Sequence, residues 1–521
     1  MKFLMPGLLL VFVLTSGCSV AYYRQSADLE VNSILREKEK LLHPVSAALP
    51  RFNGETAPET RILNLKEVLI TAAKNNREYQ SRKEDVYLKA LDLTGARFVY
   101  RWRWDTSGGL EYNKEDEHSW ATSSSLRLVR WLADGAQITF NLSKDFLQYL
   151  TGDKSKSFQS MMQLDLLQPL LKGAGRKVAQ ENLTQVERDV VYAMRSFLRY
   201  QRSFSVDVAQ QYFQILLAQD TLTNYWANYL FLSQTRQRIE MMAEAGRLPP
   251  LQADQARQNE LQAYQDWLRA SHDYQSRLDT FRTLLAIPLN QPVVLDKEVL
   301  IRLLNQGVSE PSLREEECLQ AALTGRLDLL TAADELEDAK RKVAVARDNL
   351  HSYLALKLHL ETSSDQTEHP TWRLSQPDYS GGLDFSFPFS RVEERNAYQR
   401  SLINLERARR QFFLKRDIVT AEVAESYRAL EEAYRTYQIQ KSSLALAQRR
   451  VESTDLLLQA GRATTRDLLE AQEALTRARN ALSAAVVNYQ ISYLRLLRDA
   501  ELLELDEAGV WKGDTYEKTI R

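Results

Sequence analysis

Two stretches of this chain, from about Arg176 to Ala245 and from about Arg395 to Ala460, contain neither glycine nor proline. At a rise of about 1.5 Å per residue, a helix built on either is on the order of 100 Å long. No globular core holds such an element end-on, so each must pack lengthwise against partners, as in a coiled coil. Both stretches end alike, the first at Ala245-Gly246-Arg247 and the second at Ala460-Gly461-Arg462. A shorter helical pattern then resumes, over about Gln252 to Leu285 and about Thr465 to Leu497. Glycine in that place reads as the left-handed residue that ends a helix, and Thr464 or Thr465 as the next N-cap. Both breaks are expected to be tips of antiparallel helical hairpins, at one end of a rod.

The two hairpins are copies of one design. "VAQQYFQILLA" from Val208 matches "VAESYRALEEA" from Val423, an offset of 215 that the two glycine breaks also keep. Upstream, "EVLITAAKNNREYQ" around Glu67 pairs with "ECLQAALTGRLDLL" around Glu317 at an offset of 250. The chain therefore reads as a tandem duplication, 61–300 and 301–505, with about 35 extra residues inside the first copy. Each copy opens on a helix, at about Leu65 to Ala96 and about Leu313 to Asn349.

Between that helix and the long one the periodicity changes from 3.6 to 2. In the second copy Leu354, Leu356, Leu358 and Leu360 alternate with Ala355, Lys357, His359 and Glu361, and Leu383, Phe385 and Phe387 with Asp384 and Ser386. In the first, Trp102 and Trp104 alternate with Arg101, Arg103 and Asp105, and Ile138, Phe140 and Leu142 with Gln137, Thr139 and Asn141. These are strands with one apolar and one polar face, at about 100–168 and 352–388. The extra residues are expected to form an added hairpin at about Thr122 to Phe146. Such strands suit a membrane barrel wall, which several chains would have to share, or a small soluble β-cap on a helical stalk. Alternation alone does not choose between the two.

Composition narrows the function. A formal net charge of −1 over 521 residues argues against nucleic acid as the main partner. The opening "MKFLMPGLLLVFVLTSGCS" reads as a signal peptide over 1–17, too short to span a membrane. "TSGC" resembles the bacterial lipobox and would make Cys18 a lipidated N-terminus, with Thr15 where leucine is commoner; an ordinary signal peptide beside a chance cysteine is the other reading. The segment 18–60 is expected to be a lipid-anchored extended stretch, and 506–521 a loosely packed tail. Cys318 is expected to be a buried small apolar residue, with no disulfide. No phosphate-binding glycine loop, nucleophile elbow or metal-type histidine spacing appears, so neither catalysis, a metal nor a cofactor is expected.

"LQPLLKGAGRKVAQ" (Leu167 to Gln180), "FPFSRVEERNAYQ" (Phe387 to Gln399) and the two hairpin tips resemble the TolC family of outer-membrane efflux proteins, in the duplicated order of helix, strands, long helix and short helix. The resemblance implies an α+β, mostly α fold: tandem-duplicated antiparallel helical hairpins, with a transmembrane β-barrel shared by a homotrimer in the outer-membrane lipid. It implies a passive conduit of a tripartite efflux or type I secretion system, opened at its periplasmic tips by an adaptor protein and an inner-membrane pump. Two acidic residues of the family's second tip map to Asp467 and Glu470, which would ring the channel entrance. On the residues alone they are equally first-turn acids that favour the helix dipole. Gly246, Arg247, Gly461 and Arg462 fall at the tips that would meet the adaptor. Gln252 stands where the family often has Asp, and Ala463 where some members have Arg, so the familiar locking bonds do not carry over; Arg247, Arg462 or Arg466 could substitute. The competing expectation is a lipid-anchored periplasmic coiled-coil scaffold without transport activity.

Overall fold

The computed structural model describes residues 20–39, 62–114, 118–149, 157–364, 377–506 and 509–512. In chain order these form α1 (Val20–Glu39), β1 (Ile62–Leu63), α2 (Leu65–Asn75), α3 (Arg77–Phe98), β2 (Arg103–Lys114), β3 (His118–Trp131), β4 (Gln137–Tyr149) and β5 (Ser157–Pro169). There follow α4 (Arg176–Ala179), α5 (Glu181–Glu244), α6 (Pro250–Leu284), β6 (Val294–Leu295), α7 (Glu298–Gln306), α8 (Glu315–Gly325) and α9 (Leu327–Asp348). The chain closes with β7 (Tyr353–Ser363), β8 (Asp378–Ser386), α10 (Val392–Gln459) and α11 (Thr465–Asp499). The long helices α5 and α10 run 64 and 68 residues. Among the described residues no helix is apolar enough over its length to cross a membrane.

The first helix of each copy, expected unbroken, is split in two. The breaks fall at Asn76 and Arg326, whose ψ of 126° and 118° are extended rather than helical. These positions differ by the repeat offset of 250, yet their side chains solve the break differently. Asn76 accepts the Tyr79 N–H at 2.9 Å and donates to the Leu284 carbonyl at 2.8 Å, a local bond that competes with helical continuation. Arg326 is buried, donates to Asp328 at 2.9 Å and reaches Glu422.

Two expectations for the chain ends are corrected. The segment expected to be extended is helical over Val20–Glu39, because Val31, Ile34 and Leu35 give it a buried stripe at helical spacing. Its polar side is tied down as well: Tyr87 donates to Asp28 at 2.5 Å, and Arg97 takes both oxygens of Glu37 at 3.1 and 3.2 Å. Cys18 and residues 40–61 lie outside the described residues. In the tail, 509–512 pack tightly rather than loosely. Trp511 is buried, bridges to Leu505 and donates its indole N–H to Ser205 at 3.1 Å. Residues 513–521 also lie outside the described ones.

The packing divides into two units, and each draws on both sequence copies. One takes in Met1–Leu42, Asp85–Met194 and Thr331–Phe413, the other His43–Glu84, Arg195–Leu330 and Leu414–Arg521. The first contains the six-stranded sheet in the order β2-β3-β4-β5-β7-β8, every neighbouring pair antiparallel. Its helical part is cross-linked at Asp338, which accepts from Arg188 and Tyr192 at 2.7 Å and from Arg341 at 2.8 Å. Burial opposes that charge, but the Tyr192 and Arg341 bonds outweigh it and hold the carboxyl below the ordinary Asp range. The second unit has its own buried chain of charges. Arg202 meets Glu501 at 2.5 Å, Glu501 meets Arg199 at 3.3 Å, and Arg199 meets Asp328, also bound by Lys415 at 2.9 Å. Cys318 is buried here, as its apolar setting suggested.

Candidate functional site

Two regions carry functional geometry, one in each unit. In the sheet the register sorts the side chains onto two chemically opposite faces. Reading across paired residues, Trp104, Leu128, Phe140, Leu164 and Leu360 stand on one side, joined by Tyr379. Asp105, Arg127, Asn141, Gln163, Glu361 and Asp378 occupy a row on the other. The polar row is internally bonded: Gln163 donates to Glu361 at 3.1 Å, His359 meets Asp165 at 2.6 Å, and Lys357 pairs with Asp384 at 2.7 Å. The apolar face is left uncovered, with Trp104 72%, Leu383 62% and Tyr379 84% exposed. A soluble β-cap would bury those side chains, so the pattern favours lipid as their solvent. Among the described residues three charges stand on that face: Lys114 and Arg130 at opposite strand ends, where long stems can lift their heads to the interface and Arg130 lies 5.6 Å from the Trp102 ring, and Lys144 just past the middle of β4.

Strand length fits the same solvent. β2, β3, β4 and β5 run 12, 14, 13 and 13 residues, and β7 and β8 run 11 and 9. A tilted strand needs about 9–11 residues to cross the hydrocarbon layer. Aromatic side chains gather where strands meet helices, at Trp102, Trp104, Phe385, Phe387 and Phe389, and again at the far end of β2, where Tyr112 and Trp120 lie 5.1 Å apart. Two such groups are what membrane–water interfaces select.

The second region is the pair of hairpin tips. Gly246 and Gly461 hold φ of +71° and +69°. At each, the next residue's N–H returns to a carbonyl five back, Arg247 to Met242 and Arg462 to Leu457, both at 2.8 Å. This is the Schellman closure that a left-handed C′ residue allows. The tips differ beyond it. Pro249 and Pro250 open α6 without a side-chain cap, whereas Thr464 caps α11 in a reciprocal box with Asp467. Thr465, one residue on, is fully buried and donates to Gln252 at 2.7 Å, joining the second tip to the first.

The structure gives the proposed entrance residues definite local partners. Asp467 accepts from the Thr464 N–H at 2.9 Å and the Thr464 hydroxyl at 2.7 Å, which lowers its pKa and keeps it ionised. Glu470 accepts from Arg466 at 2.8 Å. Both carboxylates are exposed on the first turns of α11, three residues apart. Arg247 and Arg462 are exposed too, and among the described residues neither makes a side-chain hydrogen bond or ion pair.

Several residues here escaped sequence reasoning. α5 carries Asp220, Asn224 and Asn228 at intervals of four, bonded in turn to Ser483 at 2.7 Å, Asn480 at 2.9 Å and Gln472 at 3.1 Å of α11. A buried polar seam fixes the register of two helices that apolar packing alone would let slide. The i, i+4 spacing was visible, but a polar stripe on a helix reads equally as a wet face. On the first hairpin Trp226, Tyr229, Tyr264 and Trp267 form a ring cluster with centroids 5.0–5.5 Å apart. The positions 215 residues later are Lys441, Leu444, Arg479 and Leu482, so the two copies present different surfaces.

Residues 318–498 match the family model of the outer membrane efflux proteins. The match covers that span alone, and the fold of the chain as a whole is that of solved outer membrane channels. Solved structures with this fold include the CmeC outer membrane channel of Campylobacter jejuni, at 15% identity and a TM-score of 0.62 over 92% of this chain and 96% of that one. The open state of the MtrE outer membrane channel of Neisseria gonorrhoeae aligns at 13% identity and a TM-score of 0.60, covering 87% and 97%. The outer membrane protein VceC of Vibrio cholerae aligns at 13% identity and 0.61, covering 84% and 95%. No curated protein sequence matches significantly.

Proposed function

We propose that this protein is the outer-membrane channel of an efflux system, a homotrimer whose sheets share one barrel and whose hairpin tips form the periplasmic entrance. The observation that carries this reading is the six-stranded sheet with an exposed apolar face and a bonded polar face. The repeats 61–300 and 301–505 each contribute one tip, so a trimer gathers six tips around its axis. Asp467 and Glu470 then set a negative field at the entrance that favours cations. Arg247 and Arg462, exposed beside Gly246 and Gly461, are the contacts for a periplasmic adaptor that couples the channel to an inner-membrane pump. Cys18 anchors the mature chain to lipid. A lipid-anchored scaffold accounts for the helices but gives the apolar sheet face nothing to do.

Planar-bilayer conductance of the purified protein tests the proposal, with the Asp467→Asn, Glu470→Gln double variant as comparison. Asparagine keeps an acceptor for the Thr464 cap, so charge is removed without unravelling α11. Small cation-selective steps are expected from the unaltered protein, with selectivity reduced several-fold in the variant. Folded, inserted protein that passes no current would sink the channel reading.

A further inference from the structure

The sheet holds more strands than the repeat requires. Between its first helix and its long helix the second copy supplies β7 and β8, whereas the first supplies β2 through β5. The added pair is β3–β4, and it is built into the wall rather than hung from it. β3 pairs with β2 from Arg103↔Val129 to Lys114↔His118, and β4 pairs with β5 from Gln137↔Leu167 to Leu147↔Ser157. The face chemistry also runs through the insertion, with Arg130 and Lys144 as the charges on its apolar side. Leu126, Leu128, Ile138, Phe140 and Leu142 continue the apolar side, and Arg127, Thr139, Asn141 and Asp145 the polar side.

Resting on the trimeric channel reading above, we infer that three copies close a barrel of eighteen strands, six from each, by pairing β8 of one copy with β2 of the next. These two strands are the edges of the sheet, each with one hydrogen-bonding side unpaired among the described residues. An open edge is not tolerated in hydrocarbon, where every backbone group must be satisfied within the protein. Six alternating strands leave β2 and β8 running in opposite directions, so the junction is antiparallel like every other. Its faces agree as well: Trp104, Leu110 and Tyr112 of β2 extend the side that carries Tyr379, Leu383 and Phe385 of β8. With strands about 4.8 Å apart and tilted about 40°, eighteen give a backbone cylinder about 36 Å across, against about 24 Å for twelve. Barrels of that strand number leave an aqueous channel. The restriction on cargo then lies at the helical tips, and the membrane section passes solutes a twelve-stranded wall would exclude.

Electron cryomicroscopy of the detergent-purified full-length trimer tests this by counting strands, and eighteen are expected. Twelve, with β3–β4 outside the wall, would overturn the inference and leave the trimeric channel intact. Particles without a barrel or without threefold symmetry would overturn both readings. The junction has its own test in a Cys318→Ser background. Ser107→Cys on β2 is combined in turn with Asp378→Cys, Ser380→Cys, Gly382→Cys and Asp384→Cys on β8, all on the polar face. One combination should give a covalent trimer on a non-reducing gel, while Ser125→Cys on the interior strand β3 should give none, being too far for a disulfide. Absence of cross-linking in all four combinations, in trimers of normal yield, would rule out the β8–β2 junction.

Discussion

Ala286 and Glu501 hold φ of 51° and 62°, a region that costs a residue with a Cβ about 1–2 kcal/mol. They lie 215 apart and end α6 and α11 with the same closure, Ile287 N–H to Arg282 at 2.9 Å and Leu502 N–H to Leu497 at 2.8 Å. Of the two, Glu501 has a side-chain contact that offsets the strain. At Ala286 no side-chain bond compensates, so Ala286→Gly should raise stability by about 0.5–1 kcal/mol, read as a higher midpoint in thermal unfolding followed by circular dichroism. Glu501 uses its position to place a carboxylate against Arg202, with both side chains almost wholly buried. Burial pushes the Glu501 carboxyl up and the Arg202 guanidinium down, as expected of a desolvated pair. Glu501→Ala should therefore cost about 3–5 kcal/mol, since it strands Arg202 without relieving φ. A neutral change in the same unfolding assay would refute that account. Gly246 and Gly461 announced their φ in the sequence because glycine is the residue that favours it. Ala286 and Glu501 gave no such sign, and only the repeat offset linked them.

At the scale of elements, the strands were the most legible part of this chain and the short N-terminal helix the least. Alternation is a local signal: Leu354 to Leu360 shows its two faces within seven residues. The added hairpin was legible too, because a second copy measured the first and left about 35 residues over. α1 depends instead on partners about 60 residues away, Tyr87 for Asp28 and Arg97 for Glu37, which no local pattern encodes. The tip acids fall between these cases. Their place on the first turns of α11 was readable, but Thr464 as the specific partner of Asp467 depends on the backbone turn of the tip, which the sequence does not spell out. The strand faces give a paired test on adjacent residues of β5. Leu164→Arg puts a charge on the lipid side near mid-strand and should cost about 2–4 kcal/mol, whereas Gln163→Arg faces the polar row and should cost little. Urea unfolding of the two variants in lipid vesicles compares them directly. Equal losses would mean that the apolar face does not meet lipid.

For the whole molecule, the distribution of depressed carboxylates ties both units to pH in the same direction. Asp338 in one unit and Asp328 in the other lie below their ordinary value of 3.8; burial opposes the shift at each, and it is outweighed at Asp338 by the Tyr192 and Arg341 bonds and at Asp328 by the Lys415 bond, the charge of Arg199 and the Arg326 bond. An unfolded chain binds protons at these two positions before the folded one does. Their contribution to stability is therefore complete above the unfolded value and is lost as pH falls through the lowered folded values. Glu501 carries the opposite sign: its folded pKa is raised, so its contribution is present below its ordinary value of 4.5 and fades as pH rises through the folded one. Acid unfolding of the helices should begin below about pH 4 and be steep, because two units lose charge pairs over the same interval. Asp338→Asn removes one of the titrating groups and should flatten the acid limb while lowering the plateau at neutral pH, since Arg188 and Arg341 lose their shared anion. Circular dichroism against pH on the two proteins reads slope and plateau separately. A variant with the original slope would show that Asp338 is not among the groups that set the acid limit.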